Sequence, residues 1–340
     1  MPLRFKRTRR KTAFLDPFNG FEPRVLEVEL RQDPLTGDSA RILDWRARPL
    51  GPVDHTLFLE RKPPFPCPFC PQNLDKMAAR FLPQQVPQGR LSQGQAVCIP
   101  NAFPYETVNA VIILCREHYL PPEGFSARLL ADGLWLARRA FARLAPGHAY
   151  GSVNWNYMMP AGAGLIHPHF QIAAGPGPTR FQAGLLRRVR SYAARNPGHD
   201  LVDEYLQATR SQGERWLGRL GPAAWLTPFA PRALYDVMAL VPGGRGLMEL
   251  DRGQVLKLAQ GIRRVLLYFQ ETGIAAFNLT LHTRLDAAAP LPTMLRLVSR
   301  VEIPPLGVDE INFFEKLHDE MVTFIRPEQL AADLKPFWRG

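Results

Sequence analysis

The sequence has no apolar run of the roughly 18 residues that a membrane span needs. It has only four cysteines in 340 residues, too few for a disulfide framework. Acidic residues are scarce: 31 Asp plus Glu against 42 Lys plus Arg leave a formal charge of +11. The basic opening, Met1 to Lys11, is followed by no apolar stretch, which argues against a secretory leader. These shortages argue against membrane-embedded and disulfide-stapled chains and point to a reducing, cytoplasmic setting. Apolar residues make up 46% of the chain, enough for a real core and too many for disorder. The positive balance suits an anionic partner such as a nucleotide, a sugar phosphate, a nucleic acid or an anionic lipid surface. The cluster Arg4, Lys6, Arg7, Arg9, Arg10 and Lys11 reads as part of a solvated arm over residues 1–24.

With 33 prolines and 26 glycines the chain is cut into short elements. Asp33-Pro34-Leu35-Thr36-Gly37 reads as a turn. Residues 107–115 read as a buried strand, followed by a helix capped by Ser126 and by strands near 151–158 and 165–174. The order recurs: a strand at 235–242, a helix opened by Asp251 and closed by Gly273, and strands near 275–283 and 294–302. Helical text near 180–219 reads as an exposed connector. Two closing helices are expected near 309–323 and 327–335. A doubled strand–helix–strand–strand unit predicts an α+β fold of antiparallel strands.

Two stretches carry chemistry. In Ile166-His167-Pro168-His169-Phe170-Gln171, strand alternation puts His167, His169 and Gln171 on one face. Pro168 favours extended geometry at His167. Polar side chains on one face of apolar text need partners, and a phosphate group and a metal are the natural ones. Gly162-Ala163-Gly164, just upstream, can bring backbone N–H groups to phosphate oxygens. The plain alternative is a pair of satisfied structural histidines.

Cys67-Pro68-Phe69-Cys70 is the second stretch. One C-x-x-C allows a redox pair, half a zinc site or chance. Prolines at 63, 64, 66, 68 and 71 frame it as a knuckle, closer to zinc-ribbon chemistry than to a redox motif at a helix start. A closed tetrahedral site needs two more ligands, and His118 and His167 are the best candidates. The zinc would be structural, one per chain.

These residues resemble the galactose-1-phosphate uridylyltransferase family, the nucleotidyltransferase branch of the histidine-triad superfamily. The resemblance runs through Asp33-Pro-Leu-Thr-Gly37, Arg46-Ala-Arg48-Pro49, Cys67-Pro-Phe-Cys70-Pro71, Pro100-Asn101-Ala-Phe-Pro104, Arg116-Glu-His118, Asn156, the H-P-H-x-Q and Arg326-Pro-Glu-Gln-Leu-Ala331. It implies two histidine-triad-like halves, 1–185 and 186–340, sharing an antiparallel sheet flanked by helices, and a homodimer. It implies a zinc site at Cys67, Cys70, His118 and His167. His169 would be the nucleophile. Arg46, Arg48, Asn101, Asn156, Gly162, Ala163, Gly164 and Gln171 would contact nucleotide and phosphate, and Glu315 the hexose.

The implied activity moves a nucleoside monophosphate, UMP in the family, between sugar 1-phosphates through a nucleotidyl-histidine. Hydrolytic relatives place a histidine at Gln171, so Gln favours transfer over attack by water. The chain departs from the family pattern at Gly164, where Ser is usual, at Ala102, where Asp is usual, and at Met321, where Gln is usual. The strand Met294-Leu-Arg-Leu-Val-Ser299 offers Leu295 and Leu297 where many members carry a metal-binding H-x-H. These gaps keep open a phosphorylase of nucleoside polyphosphates or nucleotide sugars using inorganic phosphate. A zinc-bearing nucleic-acid binder is the third reading. It lacks the interleaved basic and aromatic groove that single strands need.

Overall fold

The computed structural model describes residues 3–46, 59, 65–303, 308–309 and 311–339. Its centre is a ten-stranded antiparallel sheet. The strands are β4 (Leu91–Gln93), β5 (Ala96–Pro100), β6 (Val108–Ile113), β7 (Tyr150–Tyr157), β8 (His169–Ala174), β9 (Trp216–Leu220), β10 (Ala223–Leu226), β11 (Asp236–Val241), β12 (Ala276–Arg284) and β13 (Thr293–Arg300). Their order is β4-β5-β6-β8-β7-β12-β13-β11-β10-β9. The doubled unit is visible in it: β6, β8, β7 on one side mirror β11, β13, β12 on the other. The two halves meet where β7 pairs β12, from Phe277 opposite Tyr157 to Arg284 opposite Tyr150.

One face of the sheet is closed by two long helices. Helix α2 (Ala127–Leu144) starts where the Ser126 hydroxyl accepts from Leu129 N. It buries Leu130, Leu134, Ala137 and Phe141. Helix α5 (Arg252–Thr272) opens with a capping box between Asp251 and Gln254 and closes on left-handed Gly273. It buries Val255, Leu258, Ile262, Val265 and Leu266. Both stripes pack on Trp155, Phe170 and Phe277 in one core. Each large side chain fully buried there contributes about 1.5–3 kcal/mol. Gly261 lets α5 approach closely, because a Cβ there would collide with the Trp225 ring.

The opposite face is divided. Over the second half lie α3 (Arg180–Arg195) and α4 (Leu201–Gln212), whose Leu185, Leu186, Leu201, Val202 and Tyr205 pack on Leu226, Met238, Leu240 and Met294. Residues 180–219 are therefore not an exposed connector. Most of their arginines face outward while Leu185, Leu186, Leu201, Val202, Tyr205 and Leu206 turn inward, Arg215 is buried, and β9 ends the stretch. Over the first half lies short α1 (Pro71–Met77), with Phe69 and Leu74 against Ile99, Val111 and Ile113.

A second sheet joins the ends of the chain in the order β1 (Lys6–Asp16), β2 (Glu22–Gln32), β3 (Ser39–Ile42) and β16 (Met321–Thr323). Residues 6–32 thus form a hairpin rather than an arm, although ten of the eleven β1 residues are exposed. Cross-strand pairs such as Arg9 with Glu27 are part of what a linear reading misses. The expected helix at 309–323 is also replaced. Among its described residues only Phe313–Leu317 is helical (α6), and Met321–Thr323 pairs parallel with β3. Short β14 (Glu302–Ile303) and β15 (Val308–Asp309) pair with each other, and α7 (Pro327–Leu334) follows β16. The Asp33 turn forms as expected: its carboxylate accepts from Leu35 N, Thr36 N and the Tyr205 hydroxyl.

Candidate active site

Cys70 caps α1, with Pro71 at the first helical position and the Cys70 carbonyl accepting from Leu74 N at 3.0 Å. The prolines start a helix here, so a helix start does not separate this motif from a redox pair. Its neighbours do. His118 Nδ1 lies 3.4 Å from Cys70 Sγ, and His167 Nδ1 lies 3.8 Å from Cys67 Sγ and 3.7 Å from Cys70 Sγ. All four donor atoms fall within 4.8 Å of one another. Tetrahedral metal bonds of about 2.0–2.3 Å place neighbouring donors roughly 3.3–3.8 Å apart, so the spacing fits.

The protonation states fit as well. His167 Nε2 donates to the Cys115 carbonyl at 2.9 Å, which leaves Nδ1 as the lone-pair donor. Burial lowers this imidazole to about 4, so it is neutral. Burial and the adjacent Cys67 push the Cys70 thiol up to about 11. Two neighbouring thiolates in this place need a cation. Cys67, Cys70, His118 and His167 can therefore hold a four-coordinate metal.

His167 stands two residues before β8, and His169 is the first residue of that strand. Both rings reach the α1 side of the sheet: Phe69 lies 6.0 Å from the His167 ring and 5.2 Å from the His169 ring. The expected shared face holds even though the strand starts later than expected. His169 Nδ1 lies 2.7 Å from the His167 carbonyl and donates to it. The tautomer is thereby fixed with a free lone pair on Nε2. Burial lowers the His169 pKa and keeps the ring neutral.

Gln171 continues that face, opposite Asn154 of β7. Asn156 lies two residues further along β7, opposite Asn278 of β12. The Asn278 amide donates to Asn156 Oδ1 and to the Ala161 carbonyl, both at 2.8 Å. Asn278 was not singled out in the sequence. Its signal was polar alternation in β12, where Asn278, Thr280 and His282 interrupt apolar text.

The loop after β7 is strained. Met158 is buried with φ +67 and ψ 162, a positive-φ extended conformation that a non-glycine residue rarely holds. The N–H groups of Gly162 and Ala163 are spent on the Met159 and Met158 carbonyls. Of the three residues expected to cradle phosphate, only Gly164 shows no backbone N–H bond among the described residues. A Cβ at Gly164 would meet nothing within 4 Å.

The remaining candidates scatter. Asn101, at the end of β5, gives its amide to Asn109 Oδ1 at 2.9 Å and accepts from Phe103 N at 3.0 Å, which ties it into its own turn. The Arg46 side chain and all of Arg48 lie outside the described residues. Glu315 accepts from Val322 N at 3.4 Å and lines a cleft over β12 and β13. On β13, Met294 and Arg296 share the His169 side of the sheet, and Leu295 and Leu297 face the helices. The expected positions of missing second-half ligands were thus one residue out of register. Arg296 bonds Asp38 and Asp236 instead.

No family model matches the chain. An uncharacterised protein of Archaeoglobus fulgidus is 27% identical over 312 residues, covering 92% of each chain. Among solved structures, an ADP-glucose phosphorylase from Arabidopsis thaliana with bound ADP-glucose superposes with a TM-score of 0.69 at 17% identity, covering 91% of this chain and 98% of that one. A uridylyltransferase superposes with a TM-score of 0.65 at 18% identity, covering 91% and 98%. The chain has the uridylyltransferase fold. Within that fold, H-P-H-x-Q opens β8, the strand beside the central β7–β12 pair, and Phe69 of the cysteine loop packs against the His169 ring.

Proposed function

We propose that the protein is a nucleotidyltransferase that moves a nucleoside monophosphate, UMP, between sugar 1-phosphates through His169. The observation that carries this is the 2.7 Å bond from His169 Nδ1 to the His167 carbonyl, on a neutral buried ring. In the first step Nε2 attacks the α-phosphorus of a nucleotide sugar. A P–N bond forms, the P–O bond to the sugar phosphate breaks, and the sugar 1-phosphate leaves. No proton needs to move. The positive charge on the substituted ring is shared with the Nδ1–H that the His167 carbonyl holds. In the second step a sugar phosphate oxygen attacks, the P–N bond breaks and the neutral ring returns. Gln171 and Asn156 hydrogen-bond phosphate oxygens and carry no proton.

Zinc, one per chain, is the metal we assign to Cys67, Cys70, His118 and His167. Two thiolates with two imidazoles suit it, and a closed four-ligand shell makes it structural. It would fix His167, and through that residue's carbonyl the orientation of His169. The halves 1–185 and 186–340 are kept as the functional division, with α3 straddling it. Exposed Phe313 and Leu317 supply apolar surface for a homodimer. Four free cysteines support a cytoplasmic setting, and among the described residues no helix is long and apolar enough to cross a membrane.

A second reading, a phosphorylase with inorganic phosphate as acceptor, is supported by Glu315, whose carboxylate is engaged by the β16 backbone. Chasing the preformed nucleotidyl-protein with glucose 1-phosphate, galactose 1-phosphate or inorganic phosphate separates the two. Discharge by a sugar phosphate supports transfer, and discharge by phosphate alone rejects it.

A further inference from the structure

The β1–β2 hairpin lies apart from the ten-stranded sheet that carries His169, as the outer pair of strands in the second sheet. Its base is anchored: Phe5 packs on Tyr205 and Phe229, and Arg31 bonds Glu29 and Glu328. Beyond that base every residue from Lys6 to Val25 is exposed except Asp16. The tip is nevertheless a built structure. The Asp16 carboxylate accepts from Phe18 N at 2.9 Å and from Arg24 at 2.6 Å, and its carbonyl accepts from Phe21 N at 2.8 Å. Gly20 at φ +59 and Phe21 at φ +62 turn the chain. A left-handed Phe21 costs free energy that no core contact offsets here, because the side chain is 64% exposed.

The apolar side chains leave this tip in every direction. Phe18, at its end, is 96% exposed. The strand register puts Leu15 and Val25 on one face of the hairpin and Phe14 on the other, all exposed. A folded partner would cover one of these faces, whereas a fluid apolar medium surrounds them all. The charge lies behind them. Residues 4–26 hold Arg4, Lys6, Arg7, Arg9, Arg10, Lys11 and Arg24 against only Asp16 and Glu22. Arg9 pairs with Glu27 and Arg24 with Asp16, but among the described residues no carboxylate lies within ion-pair distance of Lys6, Arg10 or Lys11. Basic stem and aromatic tip are thus segregated, not interleaved as a nucleic-acid strand needs. A second copy of the chain fits poorly as well. Pairing two open β1 edges would set one basic run beside the other.

We infer that this hairpin docks the protein on an anionic lipid bilayer, with Phe14, Leu15, Phe18, Phe21 and Val25 in the interface and Arg10 and Lys11 on the headgroups. Peripheral apolar groups of this kind enter the boundary by about 5–10 Å. At about 3.3 Å per residue, Lys11 and Arg10 stand roughly 13 and 17 Å behind Leu15, and their long side chains reach back to the headgroups. The contact is peripheral and does not depend on the proposed nucleotidyl transfer.

Sedimentation of the full chain with lipid vesicles tests this at near-physiological salt. Vesicles of phosphatidylcholine and phosphatidylserine should bind the parent about tenfold or more tightly than vesicles of phosphatidylcholine alone. R10T/K11T should bind the anionic vesicles about tenfold or more weakly, since each basic residue near the surface contributes about fivefold. F18S/F21N should lose about tenfold on the same vesicles and keep the melting temperature of the parent. If the double tip variant melts early, F18S alone, at the 96% exposed position, should still bind severalfold more weakly. No binding of the parent to anionic vesicles would overturn the inference, as would parent-like binding by the tip and stem variants. It also falls if a random single-stranded oligonucleotide binds more tightly than the vesicles, with no loss in the tip variants. A parent dimer that the tip variants reduce to a monomer, with no vesicle binding, would assign the hairpin to a second copy and overturn it too.

Discussion

The carbonyl of His167 holds Nδ1 of His169 at 2.7 Å, so one backbone group ties the candidate metal site to the candidate nucleophile. His167 is itself fixed at both ends, with Nε2 on the Cys115 carbonyl and Nδ1 among the cysteine sulfurs. Orientation of His169 is therefore set from the cysteine loop.

Zinc should be found at one atom per chain by elemental analysis of protein purified without added metal. Cys70→Ser should lose the metal and several kcal/mol of stability, because binding at such a site is coupled to folding. Full-length protein free of zinc, with the melting temperature of the parent, would contradict the assignment.

Asn278→Ala removes two hydrogen bonds that hold Asn156 and the loop carbonyl of Ala161. The rate of the first half-reaction should fall about tenfold, with the Michaelis constant for nucleotide sugar changing less. Single-turnover kinetics check this. An unchanged rate would make the Asn156–Asn278 pair packing only.

Gly164 has room for a side chain, so Gly164→Ser should fold with an unchanged melting temperature. Its hydroxyl gives the loop a further phosphate donor beside the one N–H not spent internally. Nucleotide-sugar affinity should rise by about threefold to tenfold, as for one added hydrogen bond. Binding weaker than the parent's would show that phosphate does not lie there.

Arg31 joins the two ends of the chain, bonding Glu29 at 2.6 Å and Glu328 at 2.7 and 3.0 Å. Burial raises the pKa of both carboxyls, and Arg31 outweighs it, so both lie below the ordinary range. Their stabilisation is complete above the ordinary carboxyl pKa, about 4.3, and is lost as pH falls through the lower folded values. Glu328→Gln should cost about 2–3 kcal/mol at pH 7 and lose less stability below about pH 4 than the parent. Melting curves across that range check it, and parallel pH profiles for the two proteins would contradict it.

The residues show what was legible in advance. The cap residues Ser126 and Asp251 and the closing Gly273 marked α2 and α5, because these signals are local. His118 could be assigned to Cys67 and Cys70 because four donors of the right chemistry stood in a chain with few cysteines. Asn278 could not be found this way. It matters only because β12 lies against β7, a pairing that no spacing in the sequence states. The full-length helix expected at 309–323 fails for the same reason, while the one expected at 327–335 is present. Met321–Thr323 is extended because β3, 281 residues earlier in register, offers it an edge. The buried face of α3, Leu185 and Leu186, is masked in the sequence by the arginines around it.

The central claim is that His169 carries the nucleotide. Intact mass after incubation with UDP-glucose, without acceptor, tests it most directly. The parent protein should gain the mass of one UMP, and H169A should gain nothing while keeping its zinc and its melting temperature. An adduct of equal yield in H169A, or no adduct on the parent with any nucleotide sugar, would contradict the account.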